Sequence, residues 1–334
     1  MNFRKSIGLG LVITGIFLLG NQKLDAQQLP QYSQYMMNKF LINPAVAGSE
    51  GYTAFNLTAR EQWIGLANSP RTYAFSAQTR VLRNSFISRG ASVKNKRPPA
   101  SRSGKVGLGG YVFADQAGIL SRTGIKITYS YHISFRKGQL SFGLSGSGYQ
   151  FRVDKQAVIL YEPGDKVVDT YNNQMFIPDA DIGVYYSDPK LYAGLSASQL
   201  LGASLQFGQV SDYAKYKLLR HFYFIGGYYL DISDYLIFEP SILLKTSEMG
   251  RFQIDLTGKF HIYENYWAGL SYRTGAEAGA LIIMGGLKVD KFLFGYSFDY
   301  TLSNIMRHNF GSHEFMIAMK LGETARRYKW LIRY

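Results

Sequence analysis

Residues 251–262 read RFQIDLTGKFHI. Phe252, Ile254, Leu256, Phe260 and Ile262 take alternate positions, with Gly258 among them, and Arg251, Gln253, Asp255, Thr257, Lys259 and His261 take the others. A period of two puts these sets on opposite faces of a strand. Residues 122–135 repeat the pattern: Thr123, Ile125, Ile127, Tyr129, Tyr131, Ile133 and Phe135 alternate with Arg122, Lys126, Thr128, Ser130, His132 and Ser134. Soluble domains use strands of about 5–6 residues. These segments are of the length that a tilted strand needs to cross a bilayer, roughly 9–11 residues.

The same rhythm predicts about fourteen strands. They lie near 52–61, 71–82, 104–115, 121–135, 138–152, 175–187, 190–200, 217–230, 235–246, 250–262, 265–273, 278–289, 291–302 and 311–321. The connections sort by parity. Those after even strands are mostly tiny, as at Arg136-Lys137-Gly138, Asp188-Pro189, Tyr263-Glu264 and Asp290, whereas 153–174, 201–216 and 303–310 follow odd strands. Outer-membrane barrels segregate turns in this way, short on the periplasmic side and longer outside. An exposed backbone amide has no water partner in hydrocarbon, so a spanning sheet must close on itself. The expectation is therefore an all-β, antiparallel transmembrane barrel over 52–321. Pro240 falls inside one of its strands and lacks an N–H for the ladder, which predicts a bulge there.

Composition agrees. The 334 residues include 35 Gly, 26 Tyr and 22 Phe, with charged residues at 18%, below the usual share of about a quarter. Zero Cys excludes thiol catalysis, thiolate metal sites and disulfides. Residues 1–26 read as a secretory signal peptide, with Arg4 and Lys5 before an apolar run from Ile7 to Leu19 and a cut after Ala26. Its removal takes the formal charge from +14 to +12. The connection 83–103 breaks the parity rule, being long after an even strand. It carries Lys94, Lys96 and Arg97 among six basic residues and no acidic one. The tail 322–334 is also basic. Both fall on the periplasmic side, where an acidic partner or the cell-wall polymer is a better match than nucleic acid, and a solvated loop is the plain alternative.

The segment 27–51 precedes the first strand. It holds Gln31-Tyr32-Ser33-Gln34-Tyr35, then Asn38, then Asn43-Pro44-Ala45 and Ala47-Gly48. This run closely resembles the opening of the PorP/SprF family of type IX secretion system outer-membrane proteins from Bacteroidetes. The resemblance continues through Arg60 with Gln62-Trp63, Arg220-His221, Trp267 with Tyr272-Arg273, Asp299-Tyr300 and Ser312-His313-Glu314. It departs at Leu29-Pro30 and in the 83–103 connection. It implies a barrel of the outer membrane that works with the secretion translocon and its periplasmic components. SprF-like members of the family are associated with secretion and surface retention of large adhesins that carry a type IX sorting domain. The Asn-Pro-Ala element could fold into the lumen as a plug or cap the periplasmic end. A similar element in FadL-type transporters supplies the alternative, an uptake channel for a hydrophobic or small solute; a structural barrel without a secretion role is a third reading.

If the phases hold, Lys126, Glu239, Lys245, Asp255, Lys259, Arg273, Asp299, Glu314 and Lys320 face inward. Both signs are present, and desolvated charges must be paired, so a salt-bridge network filling the lumen is expected. Of the five histidines, His308 and His313 lie beside Glu314, but no third ligand has metal-site spacing. No serine stands in a nucleophile elbow. No cofactor, metal or enzymatic activity is expected.

Overall fold

The computed structural model describes residues 30–81, 105–135, 137–154, 174–202, 204–206, 215–263, 265–275 and 279–322. Residues 1–29 with the expected signal peptide, the connection with Lys94, Lys96 and Arg97, and the tail beyond Gly322 lie outside the described residues.

The first half of the wall is β1 (Thr53–Glu61), β2 (Arg71–Val81), β3 (Val106–Ala117), β4 (Leu120–Ser134), β5 (Gln139–Val153), β6 (Gln174–Ser187) and β7 (Leu191–Ser198). A small hairpin, β8 (Ser204–Gln206) and β9 (Lys215–Lys217), stands apart from it. The second half is β10 (His221–Tyr228) and β11 (Leu230–Ser233), then β12 (Leu236–Ser247), β13 (Phe252–Ile262), β14 (Tyr266–Gly275), β15 (Ala280–Val289), β16 (Phe292–Thr301) and β17 (Ser312–Leu321). β10 and β11 are two pieces of one strand, since both pair with β12. Every neighbour is antiparallel, and β1 pairs with β17, so fourteen wall strands close into a barrel. No edge is left for hydrocarbon to meet.

The strand phases are those of the sequence. Along β14 exposed Tyr266, Ala268, Leu270 and Tyr272 alternate with buried Trp267, Gly269, Ser271 and Arg273. On β13, Leu256 and Phe260 are exposed while Asp255, Thr257 and Lys259 are buried. The molecule is thus inside-out relative to a soluble protein, in which charged residues are almost never fully buried unless paired. Its most deeply buried side chains include Arg60, His132, Gln139, Glu239 and Glu314.

One short turn shows its local cause. The Asp188 carboxylate accepts from the Lys190 and Leu191 amides at 2.8 and 2.7 Å, and Pro189 presets the backbone between them. At Pro240 the structure corrects the sequence expectation. The β12–β13 register runs unbroken through Pro240↔Gly258, so there is no bulge at the proline. The missing donor instead interrupts the opposite strand, where Tyr228 and Tyr229 go unpaired with β12 and divide β10 from β11. The register shift lies further on, between Asp231 and Ser233.

Residues 30–52 lie inside the cylinder. Short 3₁₀ turns form at Lys39–Leu41 and Pro44–Val46. The second is capped by Asn43, whose side-chain oxygen accepts from the Ala45 amide at 2.9 Å, and Pro44 occupies the first position, where no N–H is missed. The chain descends from the long-loop half of the lumen, beside β16 and β17, to the short-turn end, beside β2 and β5, where β1 begins.

Candidate functional site

The interior is built where this luminal segment meets the wall. Phase alone brings Arg60 of β1, Asp255 of β13, Arg273 of β14, Asp299 of β16 and Glu314 of β17 to one inward patch. Arg60 reaches Asp299 at 2.8 Å and Glu314 at 3.4 Å. Arg273 reaches Asp255 at 2.8 Å and Asp299 at 3.4 Å. All five are nearly inaccessible to solvent. Two guanidinium groups therefore face three carboxylates, and the excess negative charge must be met otherwise.

The luminal segment meets it. Glu314 accepts the Ser33 amide at 2.7 Å on one oxygen and the Gln34 amide at 2.9 Å on the other. The Gln34 side chain donates to the Glu314 carbonyl at 3.2 Å. Ser33 Oγ donates to Asp299 at 2.6 Å and accepts from Arg60 at 2.8 Å. Gln31 accepts from Arg273 at 3.3 Å. Hydrogen bonds to an ionised partner are roughly twice as strong as neutral ones, so two backbone amides can serve the third carboxylate where, among the described residues, no third cation pairs with it.

Lower in the lumen the segment adds hydrogen bonds between neutral groups. The Tyr35 hydroxyl lies 3.2 Å from Ser241 Oγ and donates to Thr257 at 3.4 Å. Burial pushes that hydroxyl up to about 12, so it keeps its proton. Asn38 donates to Ser76 at 3.0 Å. Asn43 donates to the Val184 and Leu195 carbonyls at 3.0 and 3.2 Å. Ser130 and Gln139 donate to the Ala47 and Ser49 carbonyls at 2.6 and 3.2 Å. Space for the segment comes from wall glycines: a Cβ on Gly143 would lie 2.2 Å from the Ala45 nitrogen, and one on Gly183 would lie 2.1 Å from Asn43 Oδ1. Gly48, at φ +66°, turns the chain where a Cβ would meet the Thr79 carbonyl at 2.7 Å.

Three further ion-paired groups line the interior. Lys259 reaches Glu239 at 3.0 Å, and His261 reaches the same oxygen at 2.7 Å. Arg122 meets Asp115 at 2.6 Å, and Lys126 is bound to Asp181. Asp179 and Asp181 were not among the residues singled out from sequence. The alternation Asp179-Ala180-Asp181-Ile182 in β6 is the signal that places both carboxylates inward.

The sequence-motif residues divide. Tyr32, Ser33, Gln34, Tyr35, Asn38, Asn43, Pro44, Ala45, Gly48, Arg60, Arg273, Asp299 and Glu314 belong to the luminal segment or its wall contacts. Trp267 packs flat on the inner wall, where a Cβ on Gly286 would come within 2.5 Å of its ring. Gln62 and Trp63 sit at the long-loop rim, where Trp63 donates to Thr301 at 3.2 Å. His221 bonds the Leu219 carbonyl and Gln199, in another sector of the wall. His313 points outward to Tyr296 Oη at 2.7 Å. Among the described residues no group of three His, Cys, Asp or Glu side chains could hold a metal ion.

A closed, inside-out barrel of fourteen strands with an occupied lumen is a transmembrane protein of the outer-membrane class. The chain belongs to the family described as type IX secretion system membrane protein PorP/SprF, whose model matches residues 24–319. It is thus an outer-membrane component of type IX secretion, a family of secretion-system membrane proteins and not of enzymes. No curated protein matches it. Among solved structures it is similar to a KdgM porin, with 8% identity, 80% of this chain and 97% of that one covered, and a TM-score of 0.35. It is also similar to a TodX monoaromatic hydrocarbon channel deltaS2 mutant, with 11% identity, 85% and 92% covered, and a TM-score of 0.40. A third is CdiB from Acinetobacter baumannii, with 7% identity, 81% and 60% covered, and a TM-score of 0.40. Likeness this distant says nothing of function.

Glu314→Ala should strand the Ser33 and Gln34 amides and leave Arg60 with Asp299 as its carboxylate partner. Leaving buried donors unsatisfied costs about 1–3 kcal/mol each. Hydrogen exchange across residues 33–48 should accelerate while the β13 and β14 amides stay protected. Unchanged exchange in the segment would contradict the role given to the carboxylate.

Proposed function

We propose that this barrel assists secretion or surface attachment of a large adhesin-type client that carries a type IX sorting domain. The observation that carries the reading is a secretion-family barrel whose own N-terminal segment is bonded to its inner wall through a charged network. Paired charges along the inner wall and a segment bonded to many of its strands favour a closed holder over an uptake channel of the FadL kind. The long-loop rim would meet the client. The basic 83–103 connection, with Lys94, Lys96 and Arg97, and the basic tail would meet periplasmic parts of the machinery. The segment 27–51 would serve as the plug that keeps the barrel sealed.

Removing the gene should strip one or a few large adhesins from the cell surface, read by surface proteomics. An intact surface proteome with lost uptake of a solute would support the channel reading instead. Deleting residues 31–48 should open a conductance in planar bilayers, because the lumen loses its contents; an electrically silent variant would argue against a plug. Reversing the charge at Lys94, Lys96 and Arg97 should lower recovery of crosslinked periplasmic partners several-fold, and equal recovery would assign the basic connection to solvent.

A further inference from the structure

The charged interior has two sectors in the long-loop half of the lumen. One, made by β1, β13, β14, β16 and β17, is filled. There the inward ions grip a stretch of non-strand peptide, with Glu314 taking the Ser33 and Gln34 amides. The opposite sector, made by β3 to β7 with β10 and β12, repeats this chemistry around open space. A cavity of about 90 Å³ lies there, bordered by Pro30, Gln31 and Tyr32 and by Arg122, Lys126, Asp179 and Asp181.

The ions of this sector are held in place as in the filled one. Arg122 is fixed by Asp115, which also accepts from Thr72 at 2.7 Å. Lys126 is fixed by Asp181, whose other oxygen accepts the Gln199 amide at 3.1 Å. Asp179 accepts the Ala180 and Leu201 amides at 2.8 and 3.2 Å. Among the described residues both of those bonds fall on Oδ1, so Oδ2 remains an acceptor, as each oxygen of Glu314 is toward Ser33 and Gln34. Tyr111, Tyr149 and Tyr223 add aromatic faces beside these ions. Aromatic faces with a few fixed polar groups are the usual make-up of a site that orients a ligand.

We infer that this cavity receives a short extended segment of the secreted client, entering from the long-loop side. Its backbone N–H groups would bond Asp179, and its side chains would pack on the tyrosines. This rests on the client-holding function proposed above and adds the place of contact. The filled sector is the reason for choosing a peptide: the same kind of wall already binds backbone amides on the opposite side of the lumen. Arg122 and Lys126 are matched by Asp115 and Asp181, so neither calls for an anionic ligand.

The test is photocrosslinking in intact cells, with benzoylphenylalanine at Ser147 or Ser198, both half-buried on the cavity wall, and at Phe310 on the rim, 75% exposed. Folded barrel is verified by its heat-modifiable mobility. The expected result is a covalent adduct between the adhesin and the Ser147 or Ser198 position, with Ser147→Trp lowering surface adhesin at least tenfold in folded barrel. An adhesin adduct from Phe310 alone would overturn the cavity while sparing the function. Adducts from Ser147 and Ser198 only to this chain's own loops, or only to a saccharide, would overturn it as well. No adhesin adduct from any position, with surface adhesin unchanged on gene removal, would overturn the function and this inference together.

Discussion

A peptide group in hydrocarbon has no water to bond. Each unsatisfied N–H or C=O there costs several kcal/mol, and a chain with fourteen spanning strands exposes many. Closure of β1 on β17 removes the last two edges at once. The rest of the architecture follows from that closure. With lipid on the outside, the apolar member of each alternating pair must face out, and the interior inherits what is left: Asp255, Lys259, Arg273, Asp299 and Glu314. A soluble sheet would have put Leu256 and Phe260 in its core; here they stand exposed on the wall.

An interior of that kind creates a second requirement. Fourteen strands enclose a space wider than side chains alone fill, since about eight is the number at which side chains just fill a barrel. Buried charge in the remaining space would be either hydrated or paired. The chain answers with its own residues 30–52. Their contribution is specific: the wall holds one carboxylate more than its guanidinium groups can neutralise in the Arg60–Arg273 patch, and the Ser33 and Gln34 amides complete it. Wall and luminal segment are therefore mutually dependent. The segment has no regular ladder of its own, and the wall supplies acceptors for its amides and donors for its carbonyls, as Ser130 does for Ala47.

Much of this was legible in the sequence, for identifiable reasons. Period two is a local property, so the strands and their phases could be read directly, and the inward placement of Asp255, Lys259, Arg273 and Glu314 followed from phase. What local reading lacked was azimuth. Arg60 and Asp299 lie 2.8 Å apart through the closure between β1 and β17, a contact between residues at opposite ends of the chain that no periodicity encodes. The glycine-rich 143–148 run shows the same gap. Packing of an aromatic neighbour explains Gly148, where Phe176 would meet a Cβ at 2.6 Å, but Gly143 exists for the Ala45 backbone, which is remote in sequence. Pro240 was legible as a problem and not as its solution, because the interruption it causes falls on the opposite strand.

Strand length carries a final consequence. β5 has 15 residues and β17 has 10. Five extra residues, at the rise and tilt of a barrel strand, raise the wall by about 13 Å on that side. The alternation inverts as β5 climbs. Near its short-turn end Phe142 and Leu144 face out and Ser141 and Ser145 face in; near its long-loop end Gln150 and Arg152 face out and Tyr149, Phe151 and Val153 face in. Those inward residues form a small apolar core with Ile177 and Leu218. A strand that is inside-out in one half and soluble-like in the other is crossing from lipid into water, so the inversion near Gly148 marks the upper level of the hydrocarbon. Tyr149 and Asp179 stand at that level. The open sector of the lumen is therefore at the water-facing mouth of the barrel, under a raised lip of wall, where the charged side chains around it are largely buried and held by the sheet.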